Sequence, residues 1–140
     1  MSYKLACINN KCSNKESKAI NVLDLIENYV GKDYLFYCPK CSQNIYIEKQ
    51  FDLQEKGQTW EPFLWGIIPL GFKNKTYQPF IYLVSDSPKS KISSCWFCYY
   101  KDTRKQGGKL KLGYGPGGPP VLKISQIKEL IKILSDLKIY

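Results

Sequence analysis

Histidine is absent from the 140 residues, and arginine occurs once, at Arg104, among twenty-one basic side chains. Without imidazole the commonest proton shuttle near neutral pH is missing, which argues against general acid–base catalysis. Any tetrahedral protein site for a metal must then lean on sulfur. Arg104 alone can offer the rigid fork that reads guanine edges and clamps paired phosphate oxygens. Lysine, a point charge on a flexible stem, has to make the other contacts to an anion. Long apolar runs are missing too. The longest, Phe63 to Phe72, falls far short of the ~20 residues of a membrane-spanning helix. The residues after Met1-Ser2-Tyr3-Lys4-Leu5-Ala6 turn polar and give no signal-peptide core. A cytoplasmic location with no membrane partner is therefore the expectation. No internal repeat of useful length occurs, which argues against solenoids and propellers.

With 44% hydrophobic and 24% charged residues, the composition is that of one ordinary globular domain, too apolar for a disordered chain. The net charge of +9 is unevenly placed. Residues 1–62 balance eight lysines against eight acids, whereas residues 63–140 hold thirteen basic and four acidic groups. A basic half is the electrostatic footprint of a protein that meets phosphates. The same lysine excess, with abundant Ile, Asn and Tyr, also matches the amino-acid usage of an A/T-rich genome, so a merely solvated basic surface is the alternative.

The chain divides into two segments, 1–50 and 51–140. In the first, Tyr3 to Cys7 is short and apolar, and a polar turn leads to Cys12. A helix is then predicted, capped by Asn21 with Asp24 three residues on and stopped by Gly31. Val22, Leu23, Ile26, Tyr29 and Val30 recur at its helical spacing. Tyr34 to Cys38 and Asn44 to Glu48 are β-favouring runs around a short turn, predicted as a hairpin with cysteines at its tip. Residues 49–60 are polar and predicted as a linker or loop. In the second segment, Phe63 to Leu70, Phe80 to Val84 and Ile92 to Tyr100 read as strands. Pro69 marks the first of these as an edge strand or a bulged one. A glycine-rich passage runs from Gly107 to Pro120 around Lys109–Leu112. Its prolines remove the amide donors of a phosphate loop, so a flexible loop that closes over a partner is expected there. The final stretch is an amphipathic helix with Ser125 as cap and Ile127, Leu130, Ile131, Leu134 and Leu137 in one stripe. The predicted class is α+β: a metal-tipped hairpin with a short helix, then an antiparallel sheet covered by the C-terminal helix.

All six cysteines fall in close pairs: Cys7 with Cys12, Cys38 with Cys41, and Cys95 with Cys98. Nothing points to export, so metal thiolates are favoured over disulfides. Two ligands in a tight turn supply half a tetrahedron, and a Zn²⁺ ion takes four thiolates from two such turns. Cys7, Cys12, Cys38 and Cys41 are the preferred set. Cys38 and Cys41 with Cys95 and Cys98 form the rival one. Cys95-Trp96-Phe97-Cys98 is too bulky for a metal turn and reads as strand, with its thiols on opposite faces and buried. Cys38-Pro39-Lys40-Cys41 at a hairpin tip resembles a zinc-ribbon knuckle, with Cys7 and Cys12 as its companion. The resemblance covers roughly the first fifty residues. The first knuckle has four intervening residues where two are usual, and neither carries the glycine that commonly follows. The zinc-ribbon class includes binders of DNA, RNA and protein as well as structural staples, so the resemblance implies a metal and no single task.

Trp96, Phe97, Tyr99 and Tyr100, with Phe80 and Tyr82, offer base-stacking planes near Lys101, Arg104 and Lys105, although aromatics on both faces of a strand imply core on at least one. The carboxylates Glu48, Glu61, Asp86 and Asp102 form no pattern of a hydrolase or nuclease. The expected function is a small, non-catalytic zinc-binding protein whose Lys101, Arg104, Lys105, Lys109 and Lys111 meet nucleic-acid phosphates. The alternative is a zinc-stabilised adaptor or regulatory subunit that docks on another protein.

Overall fold

The computed structural model describes residues 3–9, 11–12, 17–18, 22–48, 51–53, 58–60, 62–70, 77–113 and 121–138. The helix cap expected at Asn21, Glu61, and residues 114–120 of the glycine-rich passage lie outside them. In chain order the elements are β1 (Tyr3–Cys7), β2 (Ser17–Lys18), α1 (Val22–Asn28), β3 (Ile45–Glu48), β4 (Phe51–Leu53), β5 (Gln58–Trp60), β6 (Phe63–Pro69), β7 (Tyr77–Ser85), β8 (Ser94–Asp102), β9 (Leu110–Gly113), β10 (Val121–Lys123) and α2 (Ile124–Asp136). The main sheet has eight strands in the order β10-β8-β7-β6-β3-β1-β2, with β9 also paired to β8. Strands β9 and β10 share one edge of β8: β9 pairs with its residues 99–102 and β10 with residues 94–96. Every described strand pairing is antiparallel.

The long hairpin β7–β8 forms because both strands are rich in aromatic and other large apolar residues that favour extended backbone, and the register sets the core-facing residues of one strand against those of the other. Tyr82 lies opposite Trp96, Phe80 opposite Cys98 and Gln78 opposite Tyr100, and all six are buried. Leu64 and Ile67 of β6, Ile45 and Ile47 of β3, and Leu5 and Cys7 of β1 extend that core. Val22 and Leu25 of α1, together with Phe36, complete it. Burying one such large apolar side chain contributes on the order of 1.5–3 kcal/mol. Strand β6 shifts register between Leu64 and Gly66, and the segment before Phe36 crosses it there. The Phe36 amide donates to the Trp65 carbonyl (2.8 Å) and the Ile67 amide to the Tyr34 carbonyl (3.0 Å). A side chain at Gly66 would put its Cβ 2.2 Å from the Tyr34 carbonyl oxygen. Glycine is required for that backbone approach.

Several expectations need correction. The run Tyr34–Cys38 is no strand of the sheet. It makes isolated bridges, Val30 to Phe36, Leu35 to Gly66 and Tyr37 to Asn44, so only the last of these closes the turn that carries Cys38 and Cys41. Residues 49–60 are not simply a linker or loop, because β4 and β5 pair antiparallel within them. Helix α1 stops at Asn28, ahead of Gly31, since Val30 is taken into its bridge with Phe36. Helix α2 starts at Ile124, not after Ser125, with the Lys123 amide donating to Gln126 Oε1 (2.8 Å). Most consequentially, α2 does not cover the sheet: none of its residues is buried. Leu130, Ile131 and Ile133 are exposed, and Leu137 is 62% exposed. Its amphipathic stripe has the composition of a core face but follows directly from β10 at the sheet margin, where only Ile124, Ile127 and Leu134 are partly covered. No described helix is long and apolar enough to cross a membrane.

Candidate metal centre and basic hairpin

The first pair of cysteines is set by the end of β1. Cys7 closes the strand, facing the core opposite Ile45. The chain then turns on Asn9, whose carbonyl accepts from the Cys12 amide (2.9 Å) and whose Oδ1 accepts from the Lys11 amide (3.0 Å). Asparagine suits this position because its side chain mimics a backbone acceptor. The second pair sits in the turn before β3. The Cys38 amide donates to the Gln43 carbonyl (2.7 Å), the Ser42 amide donates to the Cys38 carbonyl (2.9 Å), and Ser42 takes a positive φ of 61°. One backbone bond, from the Ile8 amide to the Asn44 carbonyl (3.2 Å), ties the two turns together.

This brings four sulfurs to one point. Cys7 Sγ is 3.4 Å from Cys41 Sγ, Cys12 Sγ is 3.7 Å from Cys38 Sγ, and all four lie within 4.8 Å of one another. These separations are far longer than an S–S bond of ~2.05 Å, and none of the six cysteines forms a disulfide. A tetrahedron of thiolates ~2.3 Å from a cation has edges of about 3.8 Å, so the donors match the geometry of a four-thiolate ion. Cys7 and Cys38 are buried in the core margin, while Cys12 and Cys41 are half-buried against it. Burial pushes the Cys7 thiol up to about 12, the neighbouring thiols of Cys41, Cys12 and Cys38 push the same way, and the Asn9 backbone opposes them. Such a cluster could hold a metal ion, and metal binding would ionise thiols that burial keeps protonated.

Cys95 and Cys98 do not join this group. Cys98 belongs to the core cluster with its cross-strand partner Phe80. Cys95, three residues earlier in the strand and therefore on the other face, is buried outside that cluster, and burial raises its thiol. The rival four-thiolate set is thus not assembled.

The five basic residues expected to meet phosphate all fall on one hairpin, β8–β9. Lys101 and Lys111 lie directly opposite each other in register, and the remaining three flank the turn between the strands. Arg104 and Lys105 occupy a single 3-10 turn that Gly107 ends at a φ of 78°. The tip is closed by Thr103, whose Oγ1 accepts from the Lys109 amide (3.1 Å) and donates to the Lys109 carbonyl (3.2 Å). Arg104 differs from the lysines. Its Nε and Nη2 donate to the two carboxylate oxygens of Asp102, each at 2.9 Å, and this holds the Asp102 carboxyl below the usual range. The ion pair consumes the one acid of the hairpin and two donors of the one arginine. Four exposed lysines are left: Lys101, Lys105, Lys109 and Lys111.

The aromatics separate by face. Trp96, Tyr100, Phe80 and Tyr82 are core, whereas Phe97 and Tyr99 point to the opposite side. Tyr77, which sequence reasoning did not single out, lies there with them. Its signal was available in the alternation of 77, 79, 81 and 83 against the buried 78, 80, 82 and 84. Of the carboxylates weighed for catalysis, Asp86 is exposed in the β7–β8 turn and Asp102 is held by Arg104. Comparison with protein-family models, with curated proteins and with solved structures gives no match.

Proposed function

We propose that this chain is a small, non-catalytic protein stapled by Zn²⁺ at Cys7, Cys12, Cys38 and Cys41, which contacts nucleic acid through the β8–β9 hairpin. The staple is supported by sulfur separations near those of a tetrahedral thiolate shell and by a donor set without histidine, which suits zinc among common divalent ions. The observation that carries the nucleic-acid reading is the register of Lys101 against Lys111. Like charges directly opposite destabilise a strand pair, and a phosphate between them converts that repulsion into attraction. Lys105 and Lys109 at the tip extend the same field.

Reversing Lys105, Lys109 and Lys111 to Glu is expected to abolish binding of a labelled oligonucleotide. In the parent, binding is expected to weaken with salt on a log–log slope of about 0.7–0.9 per phosphate contact. Unchanged binding in the triple variant would remove the hairpin from the account. A second reading, a protein–protein adaptor, is favoured by the exposed Leu130, Ile131 and Ile133 of α2 and by Leu137 just after it. It differs in its salt response, because apolar docking is nearly indifferent to ionic strength.

A further inference from the structure

Register aligns the residues of β7, β8 and β9 in cross-strand rows. The face opposite the core carries successive cross-strand rows. Tyr77, Lys101 and Lys111 form the outermost, Pro79, Tyr99 and Gly113 the next, and Ile81 with Phe97 the third. The tyrosines of the first two rows meet diagonally, with ring centroids 5.1 Å apart and planes inclined by 36°. They are 44% and 36% exposed, against 0% for Tyr82 on the other face of the same hairpin. Phe97 and Ile81 are half-buried behind them. The residue of β9 directly opposite Tyr99 is Gly113.

Two partly exposed aromatic rings therefore border a row in which two lysines face each other, Tyr77 directly beside Lys101 and Tyr99 in the neighbouring row. An aromatic pair of this kind is also what a protein partner uses as an anchor, but the charge row decides between occupants. Any partner that covers Tyr77 and Tyr99 must also accept Lys101 and Lys111, and only a polyanion supplies an acidic group at every repeat. Aromatic planes bordered by lysines are the elements with which proteins hold unpaired strands, the rings stacking on bases and the ammonium groups tracking the backbone. A duplex keeps its base faces covered and offers nothing to the rings.

We infer that the open face of this ladder is a stacking platform for single-stranded nucleic acid, with unpaired bases on Tyr77 and Tyr99 and the adjoining phosphates on Lys101 and Lys111. The inference rests on the nucleic-acid reading above and adds to it the strandedness of the ligand and the residues that grip its bases.

Fluorescence anisotropy with labelled oligothymidylate and oligouridylate, and with a mixed-sequence duplex as competitor, tests it on the full chain. Both single strands are expected to bind more tightly than the duplex. Tyr99→Ala and Tyr77→Ala should each weaken single-strand binding by about tenfold without altering the salt slope. Tyr99→Phe, which keeps the ring, should bind as the parent does. Lys101→Gln and Lys111→Gln should instead lower the slope. Both rings are exposed, so the alanine variants are expected to keep the parent's thermal unfolding midpoint, which separates lost contact from lost fold. Salt-dependent binding that ignores both alanine variants, or that prefers the duplex, overturns the platform while the basic hairpin stands. No binding of any oligonucleotide by the parent overturns both. Self-association that Tyr99→Ala abolishes, without oligonucleotide binding, makes the face a protein interface and likewise overturns the platform.

Discussion

At the scale of single residues the fold is least forgiving where backbone meets backbone. Gly66 is such a point: the Tyr34 carbonyl occupies the space of its missing Cβ at 2.2 Å, and Tyr34 itself carries a positive φ of 66°. Neither atom is the end of a flexible side chain, so relief requires the crossing segment to move. Gly66→Ala is expected to destabilise by about 1–3 kcal/mol, the usual cost of overpacking, and to lower the thermal unfolding midpoint by several degrees. An unchanged midpoint would mean that the crossing does not exist as described. The consequence also travels along the chain. Phe36 is fixed by this crossing and is buried, and Cys38 follows two residues later. Exposed positions behave differently. The Arg104–Asp102 pair is solvent-facing and sits within one turn, so it orients the hairpin tip more than it stabilises the fold.

At the scale of elements, sequence pattern and structure agree where the determining contacts are local. The pairs Cys7 with Cys12 and Cys38 with Cys41 were legible because close spacing suits a turn, and β7 and β8 were legible because their aromatic and branched residues favour extended backbone locally. What joins them was not. The convergence of Cys7 and Cys12 on Cys38 and Cys41 depends on the β1–β3 pairing, and the diversion of Leu35 toward Gly66 depends on a strand thirty residues away. Neither leaves a local trace. The C-terminal helix shows the opposite failure. Its amphipathy is plain in the residues, yet periodicity announces an apolar face without naming what covers it, and here the sheet leaves that face largely uncovered. Removing residues 124–140 is therefore expected to change the unfolding midpoint by at most a few degrees, because no α2 side chain is buried. A fall as large as that of Gly66→Ala would show that α2 packs on the sheet. The split of the aromatics was half legible. Two faces were implied by adjacent large residues, but which one is wet depends on the core that α1 and Phe36 complete.

At the scale of the whole molecule, the four sulfurs bring a strand end at Cys7 to the turn that leads into β3, so a cation bound there would cross-link the start of the sheet. The apparent free energy of a structural Zn²⁺ site in small domains is ~10–16 kcal/mol at neutral pH, several times the cost of any single substitution argued above. Chelation is accordingly expected to lower the midpoint far more than Gly66→Ala does. The pH dependence should change sign with the metal. In the chelated protein the folded Cys7 thiol keeps its proton up to about 12, whereas an unfolded thiol releases it near ~8.5. Its raised value therefore contributes stability that is complete below about pH 8.5 and is lost as pH rises toward 12. With the metal bound the ligands must shed their protons, so protons compete with the ion and stability is lost as the solution is acidified. Thermal unfolding across pH, with and without chelator, should give opposite slopes: falling at alkaline pH without the ion, falling at acid pH with it. Parallel slopes would show that these thiols never share a cation. The basic hairpin would then have to be anchored without a staple at the far side of its sheet, on the β6, β7 and β8 core alone.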